Sequence, residues 1–216
     1  MKTFKQFFES TIHPEKDEYG SDVIINKPHV DSPIHHWNDN NKHATITPNS
    51  NNIPEHINNI PFSKWEDRPK TTEDWNKIDG QGDFEEPPLE NPHNKKISTG
   101  AIIHEKDGRV WVFHPTNQFA NIEASFPKGK LDKNINLRAN AIKEVGEETG
   151  LKIKLTGHAA DSDRTTGKTR YYHAERVGGH PANMGWESQA VSLVPKSNLK
   201  DVLNSPLDHK VVDKLS

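Results

Sequence analysis

The pattern of apolar and polar positions changes character near Ile97. Before it, no sustained period of two or 3.6 runs through residues 11–60. After it, short apolar runs alternate with turn signals at strand and helix spacing. Residues 99–104 and 109–114 read as paired strands around the Asp107-Gly108 turn. A loop at 115–121 and a short strand at 122–126 lead into Pro127-Lys128-Gly129. A helix over about 136–149 follows, capped by Asn134 or Asn136 and stopped by Gly150. Strands are predicted from Leu151, over 168–177 and over 189–194, with loops at 161–167 and 178–185. Short helices at 199–203 and 209–215 close the chain. Tyr171 and Tyr172 alternate on their strand, which predicts one inward and one outward ring. The whole predicts an α/β fold: a sandwich with a mixed sheet, preceded by a largely irregular N-terminal segment.

That segment divides further. Residues 1–10, MKTFKQFFES, form an amphipathic stub. Residues 11–60 are rich in Asn, Pro, His, Asp and Ser and read as a disordered or linker segment. Residues 61–94 carry Phe62, Trp65, Trp75 and Phe84, more large aromatics than a free linker holds. They read as an arm packed on the domain spanning 95–216.

Charge sharpens this division. Residues 1–95 carry a net −7 and residues 96–216 a net +4, within a chain total of −3. The basic bias of the second half is too weak to argue for polynucleotide binding. The absence of cysteine excludes disulfides, thiolate zinc sites and a thiol nucleophile. No apolar run approaches the roughly 20 residues needed to span a bilayer.

The predicted helix carries the candidate chemistry. Glu144, Glu147 and Glu148 stand three and four residues apart, so their carboxylates face one way, beside an apolar arc of Ala141, Ile142 and Val145. Three carboxylates on one face suit a hard divalent cation that shares its oxygens with phosphates. Neither a Walker loop nor a Gly-x-Ser-x-Gly elbow competes with this reading.

The window FPKGKLDKNINLRANAIKEVGEETGL, residues 126–151, resembles the Nudix box, G-x5-E-x7-R-E-U-x-E-E-x-G-U with U a bulky apolar residue. Gly129, Glu144, Val145, Glu147, Glu148, Gly150 and Leu151 match it in register. Ile135 stands in place of its first Glu and Lys143 in place of its Arg, so one supporting ion pair is replaced. The resemblance covers residues 97–216 and implies a Nudix-type α/β/α sandwich. It implies hydrolysis of a phosphoanhydride in a nucleoside diphosphate linked to another moiety, with Mg²⁺ as cofactor and Mn²⁺ as its substitute. Glu144, Glu147, Glu148 and the carbonyl near Gly129 would hold the metal. Glu148 or Glu187 would be the general base, with Glu147 also in the catalytic set. Lys128, Arg170 and Trp186 would bind substrate.

The implied partner is a nucleotide-like small molecule, with capped RNA ends the one nucleic-acid exception, and no membrane. Two other readings stand beside the enzyme: a nucleotide-binding Nudix domain without turnover, and a packaged phage virion protein. The stub at residues 1–10 is similar to capsid-targeting propeptides of large tailed bacteriophages. That likeness implies a cut after Glu9, a capsid partner and a place in the virion. Otherwise the expected compartment is the cytoplasm, that of the host if the chain is phage-encoded.

Overall fold

The computed structural model describes residues 10–215; the stub at 1–9, with its expected cut, lies outside them. Seven strands form one mixed sheet: β1 (Ala44–Ile46), β2 (Lys96–His104), β3 (Arg109–Pro115), β4 (Lys128–Lys130), β5 (Leu151–Asp163), β6 (Gly167–Gly179) and β7 (Ser188–Pro195). Their order is β1-β7-β3-β2-β6-β5, with β4 paired to the first half of β2. Strands β2 and β6 run parallel and the other neighbours antiparallel.

Among the described residues four α-helices complete the fold: α1 (Thr72–Asn76), α2 (Leu137–Thr149), α3 (Leu199–Val202) and α4 (Pro206–Val212). The sheet is apolar on both faces. One face packs Ala101, Ile103, Trp111 and Tyr172 against Ala141, Ile142 and Val145 of α2. The other packs Ile102, Val112 and Tyr171 against Leu199, Leu203 and Val211. These are the layers of an α/β/α sandwich.

This two-sided burial corrects the reading of the tyrosine pair. Tyr171 and Tyr172 do alternate, yet both are fully buried, one in each core. Two other boundaries differ. Residues 122–126 make only a bridge from Ser125 to Phe113, and the strand before the helix is β4. The loop expected over 161–167 shrinks to a turn, because cross-strand pairs as far as Lys168 with Asp163 extend β5 and β6 toward each other.

Residues 11–60 are not a loose linker. Strand β1 extends the sheet along β7, and Trp37 is wholly buried against Trp111, ring centroids 5.9 Å apart. Arg109, 1% exposed, donates to the carbonyls of His36, Trp37 and Asp39 at 3.0, 2.6 and 3.2 Å, and pairs with Asp107 at 2.7 Å. One guanidinium thus supplies the backbone acceptors of an irregular loop with donors. A few such anchors do the work that periodic apolar burial does elsewhere.

Residues 61–94 place Trp65 and Trp75 edge to face, 5.9 Å apart, under α2. Helix α1 ends at Asn76, whose Oδ1 accepts from the backbone N–H of Asn136 at 2.9 Å, at the start of α2. Among the described residues no helix is long and apolar enough to cross a membrane.

Candidate functional site

Helix α2 is positioned at both ends. Asn136 caps its start, accepting from Ala139 N–H at 2.9 Å, and Gly150 ends it at φ 69° in the left-handed conformation. Between them the helix presents Glu144, Glu147 and Glu148 to a cavity of about 610 Å³. The loop before β7 is tied to the helix end, since Gly185 N–H donates to the Glu147 carbonyl at 2.7 Å. That tether brings Trp186 and Glu187 to the same cavity.

The carboxylates are held differently. Glu148, 5% exposed, accepts from the Lys128 backbone N–H at 2.7 Å. Burial drives its pKa well upward, against the pull of the Lys128 charge. Glu144 lies against Gly129, and burial pushes its pKa to about 7 despite Lys143 beside it. Glu187 is also raised, by burial first and then by the charges of Glu147 and Glu18. Among the described residues, nothing hydrogen-bonds to the Glu187 carboxylate.

Lys143 sits inside this group, 2.7 Å from Glu147 and 3.6 Å from Glu144. Its third partner is Asp132, at 3.1 Å. Ile135 points away into the core, 8% exposed. The lysine therefore finds its loop carboxylate three residues before the position that the box motif indicates.

Among the described residues, no three His, Asp or Glu side chains are already drawn together at metal-ligating separation. The donor chemistry nonetheless suits a hard cation. Six glutamates line one cavity, and Glu144, Glu148 and Glu187 carry pKa values raised by burial first and then by neighbouring carboxylates.

Most of the sequence-indicated residues converge here: Gly129, Glu144, Glu147, Glu148, Trp186 and Glu187 line the cavity. Lys128 lies just behind it, near enough for its charge to act on Glu148. Arg170 is the exception and corrects the reading of it as a substrate ligand. It is 1% exposed and bound to Asp161 at 2.7 Å and Glu86 at 2.9 Å, so its charge is spent within the fold. Asp161 is its direct cross-strand partner, and that register holds it there.

Sequence reasoning missed Glu15, Glu18, Arg68 and Asp132, all of which line the cavity. The first two arrive because His13 is pinned: it accepts from Glu15 N–H at 2.9 Å and donates to the Ser188 carbonyl at 3.1 Å. Arg68 comes from the aromatic arm, reaching Glu147 at 3.5 Å and donating to the Gly146 carbonyl at 3.2 Å. No periodicity marks any of the three. Asp132 was visible as a loop acid, but nothing in the spacing tied it to Lys143.

The NUDIX domain family model matches residues 94–215. The chain belongs to the NUDIX family. An RNA pyrophosphohydrolase of Caulobacter vibrioides is 30% identical over 103 residues, which is 47% of this chain and 56% of that relative. The chain thus matches little more than half the length of that relative. Among solved structures, a NUDIX hydrolase from Nitrosomonas europaea aligns at TM-score 0.49 and 18% identity, covering 56% of this chain and 70% of that one. An ADP-ribose pyrophosphatase from Streptococcus suis aligns at 0.47 and 20%, covering 56% and 87%. The NUDIX match begins at residue 94, so the arm and N-terminal segment that close over the cavity lie outside it.

Proposed function

We propose that this NUDIX domain hydrolyses a P–O–P bridge in a nucleoside diphosphate linked to another moiety. The observation that carries this is the single cavity into which α2 and the β7 loop turn four glutamates, with Arg68, Lys130 and Lys143 among them. Phosphoanhydrides resist attack because their oxygens repel nucleophiles, and the site holds groups of both signs suited to relieving that repulsion.

Glu144, Glu147, Glu148 and the Gly129 carbonyl would hold Mg²⁺, or Mn²⁺ in its place. When bound, such an ion neutralises phosphate charge and acidifies water. The chain's own residues do the rest. Glu187 takes the proton of the attacking water on its carboxylate, which burial has already made more basic and no hydrogen bond restrains. Glu148 is the less mobile candidate, held by the Lys128 N–H. Lys130 orients phosphate oxygens, and Trp186 packs against the nucleoside end.

A panel of diphosphate-linked nucleosides, nucleoside triphosphates and 5′-phosphorylated RNA, offered to the full chain with Mg²⁺, tests this reading. Release of nucleoside monophosphate or phosphate from at least one class is the expected result. Binding of nucleotides without release from any class would leave the non-catalytic reading in its place.

A further inference from the structure

Glu187 carries a free carboxylate on a fully anchored backbone. Among the described residues nothing hydrogen-bonds to that carboxylate, yet each of the four carbonyls around it accepts a bond. The Gly185 carbonyl takes the Ser188 N–H at 3.0 Å, and the Glu187 carbonyl takes the Thr116 N–H at 2.8 Å. The Trp186 carbonyl takes the Thr116 hydroxyl at 2.7 Å, and the Ser188 carbonyl takes His13 Nε2–H at 3.1 Å. On the other side, the Gly185 N–H reaches the Glu147 carbonyl of α2. Surface loops ordinarily leave many such groups to water and move accordingly.

Two residues distant in sequence do this anchoring. His13 is buried and lies outside the NUDIX match. Its Nδ1 accepts from the Glu15 N–H, which leaves the ring proton on Nε2 for the Ser188 carbonyl. Thr116 follows the end of β3. Asn117 beside it accepts from the Asn26 N–H at 2.9 Å, so the same N-terminal segment braces both anchors. The pairing of β7 with β3 also slips between Ser188 and Ala190, leaving Gln189 as an extra residue whose Nε2–H donates to the Pro115 carbonyl at 2.9 Å. A bulge of this kind bends its strand and re-aims the side chains beside it, and this one stands two residues after Glu187.

We propose that His13 and Thr116 are positioning residues for Glu187, fixing its backbone so that the unbonded carboxylate meets the attacking water above the glutamates of α2. This rests on Glu187 being the proton acceptor, and it gives the segment outside the NUDIX match a part in the reaction. Misplacing such a group by about 1 Å costs up to about 100-fold in rate. Neither His13 nor Thr116 lines the cavity, so the effect falls on turnover and not on substrate affinity.

His13→Leu and Thr116→Val in the full chain each remove one side-chain donor, whereas His13→Gln and Thr116→Ser keep a donor within reach. The substrate is the compound of the panel above that the parent chain hydrolyses fastest. The first pair should lower kcat about tenfold or more with KM within about threefold, and the second pair should recover most of that loss. In a Glu187→Gln background the first pair should change kcat by less than about twofold, because both act through the carboxylate already removed. Amide hydrogen exchange over residues 185–189 should be faster in the first pair, with α2 unchanged. If His13→Leu does not fold, the Thr116 pair carries the test alone. Parental kcat in both His13→Leu and Thr116→Val would overturn the proposal, as would losses of the same size in the Glu187→Gln background. Faster exchange in a chain that hydrolyses nothing would sustain the anchoring of the loop while removing the hydrolytic reading.

Discussion

Glu144 holds its carboxylate where a side chain at Gly129 would begin: a Cβ there would lie 1.7 Å from Glu144 Oε2. The colliding group is the end of a flexible side chain, so the fold can yield to a methyl group while the site cannot. Gly129→Ala should keep a melting temperature within a few degrees of the parent and lose about tenfold or more in turnover, through displacement of Glu144. Thermal unfolding alongside kcat/KM checks this. A variant of full activity would detach Glu144 from the chemistry.

Ile135 and Asp132 make a second, counter-intuitive expectation. Restoring the box carboxylate with Ile135→Glu would place a charge at a buried core position, while Lys143 already has Asp132 at 3.1 Å. The substitution should destabilise by about 2–4 kcal/mol in urea unfolding. An unchanged midpoint would show that the position can turn to the cleft.

His114 gives a pH dependence with a defined sign. Its Nδ1–H donates to the Glu123 carbonyl at 2.9 Å and its Nε2 accepts from Ser192 at 2.8 Å, so the neutral ring is the one that fits. Burial, with His29 beside it, depresses its pKa to about 3. The unfolded chain takes up the proton first, near 6.5. No cost therefore arises above that pH, and stability drains away as pH falls from there toward 3, by up to about 1.4 kcal/mol per unit. His114→Gln should be the less stable protein at pH 7.5, having lost the bonds. The gap to the parent should close steadily below pH 6 in urea titrations. A constant gap from pH 7.5 to 4.5 would contradict the buried neutral ring.

Trp37 tests the status of the N-terminal half. It is wholly buried on Trp111, and its carbonyl takes the Arg109 guanidinium. Trp37→Ala should cost about 3–5 kcal/mol. A chain trimmed to residues 61–216 loses both this anchor and β1, and should be aggregation-prone in size-exclusion chromatography. A monodisperse, cooperatively folding trimmed chain would make the segment dispensable.

The legible parts of this protein were those governed by local spacing. The three-and-four interval of Glu144, Glu147 and Glu148 located the cleft, and Asn136 and Gly150 marked the helix ends, because those effects act within one turn of chain. Arg170 was misread because its fate depends on which residue faces it across β5 and β6. Strand register is set by the whole sheet. The pair Tyr171 and Tyr172 was misread because one strand's alternation does not say whether a second core lies behind it. The segment over residues 11–60 hid its order for a related reason. It is fastened by Trp37, by the carbonyls that take up Arg109 and by His13, single contacts to partners far along the chain. Composition averages such contacts away.

Glu148→Gln most directly tests the claim that these carboxylates break a P–O–P bridge. Gln keeps the side-chain shape and a carbonyl oxygen to accept from Lys128 N–H, so the fold should persist while the charge is gone. With Mg²⁺ and a hydrolysable diphosphate-linked nucleoside, turnover should fall by about 100-fold or more while nucleotide binding is retained. A rate equal to that of the parent chain would contradict the account.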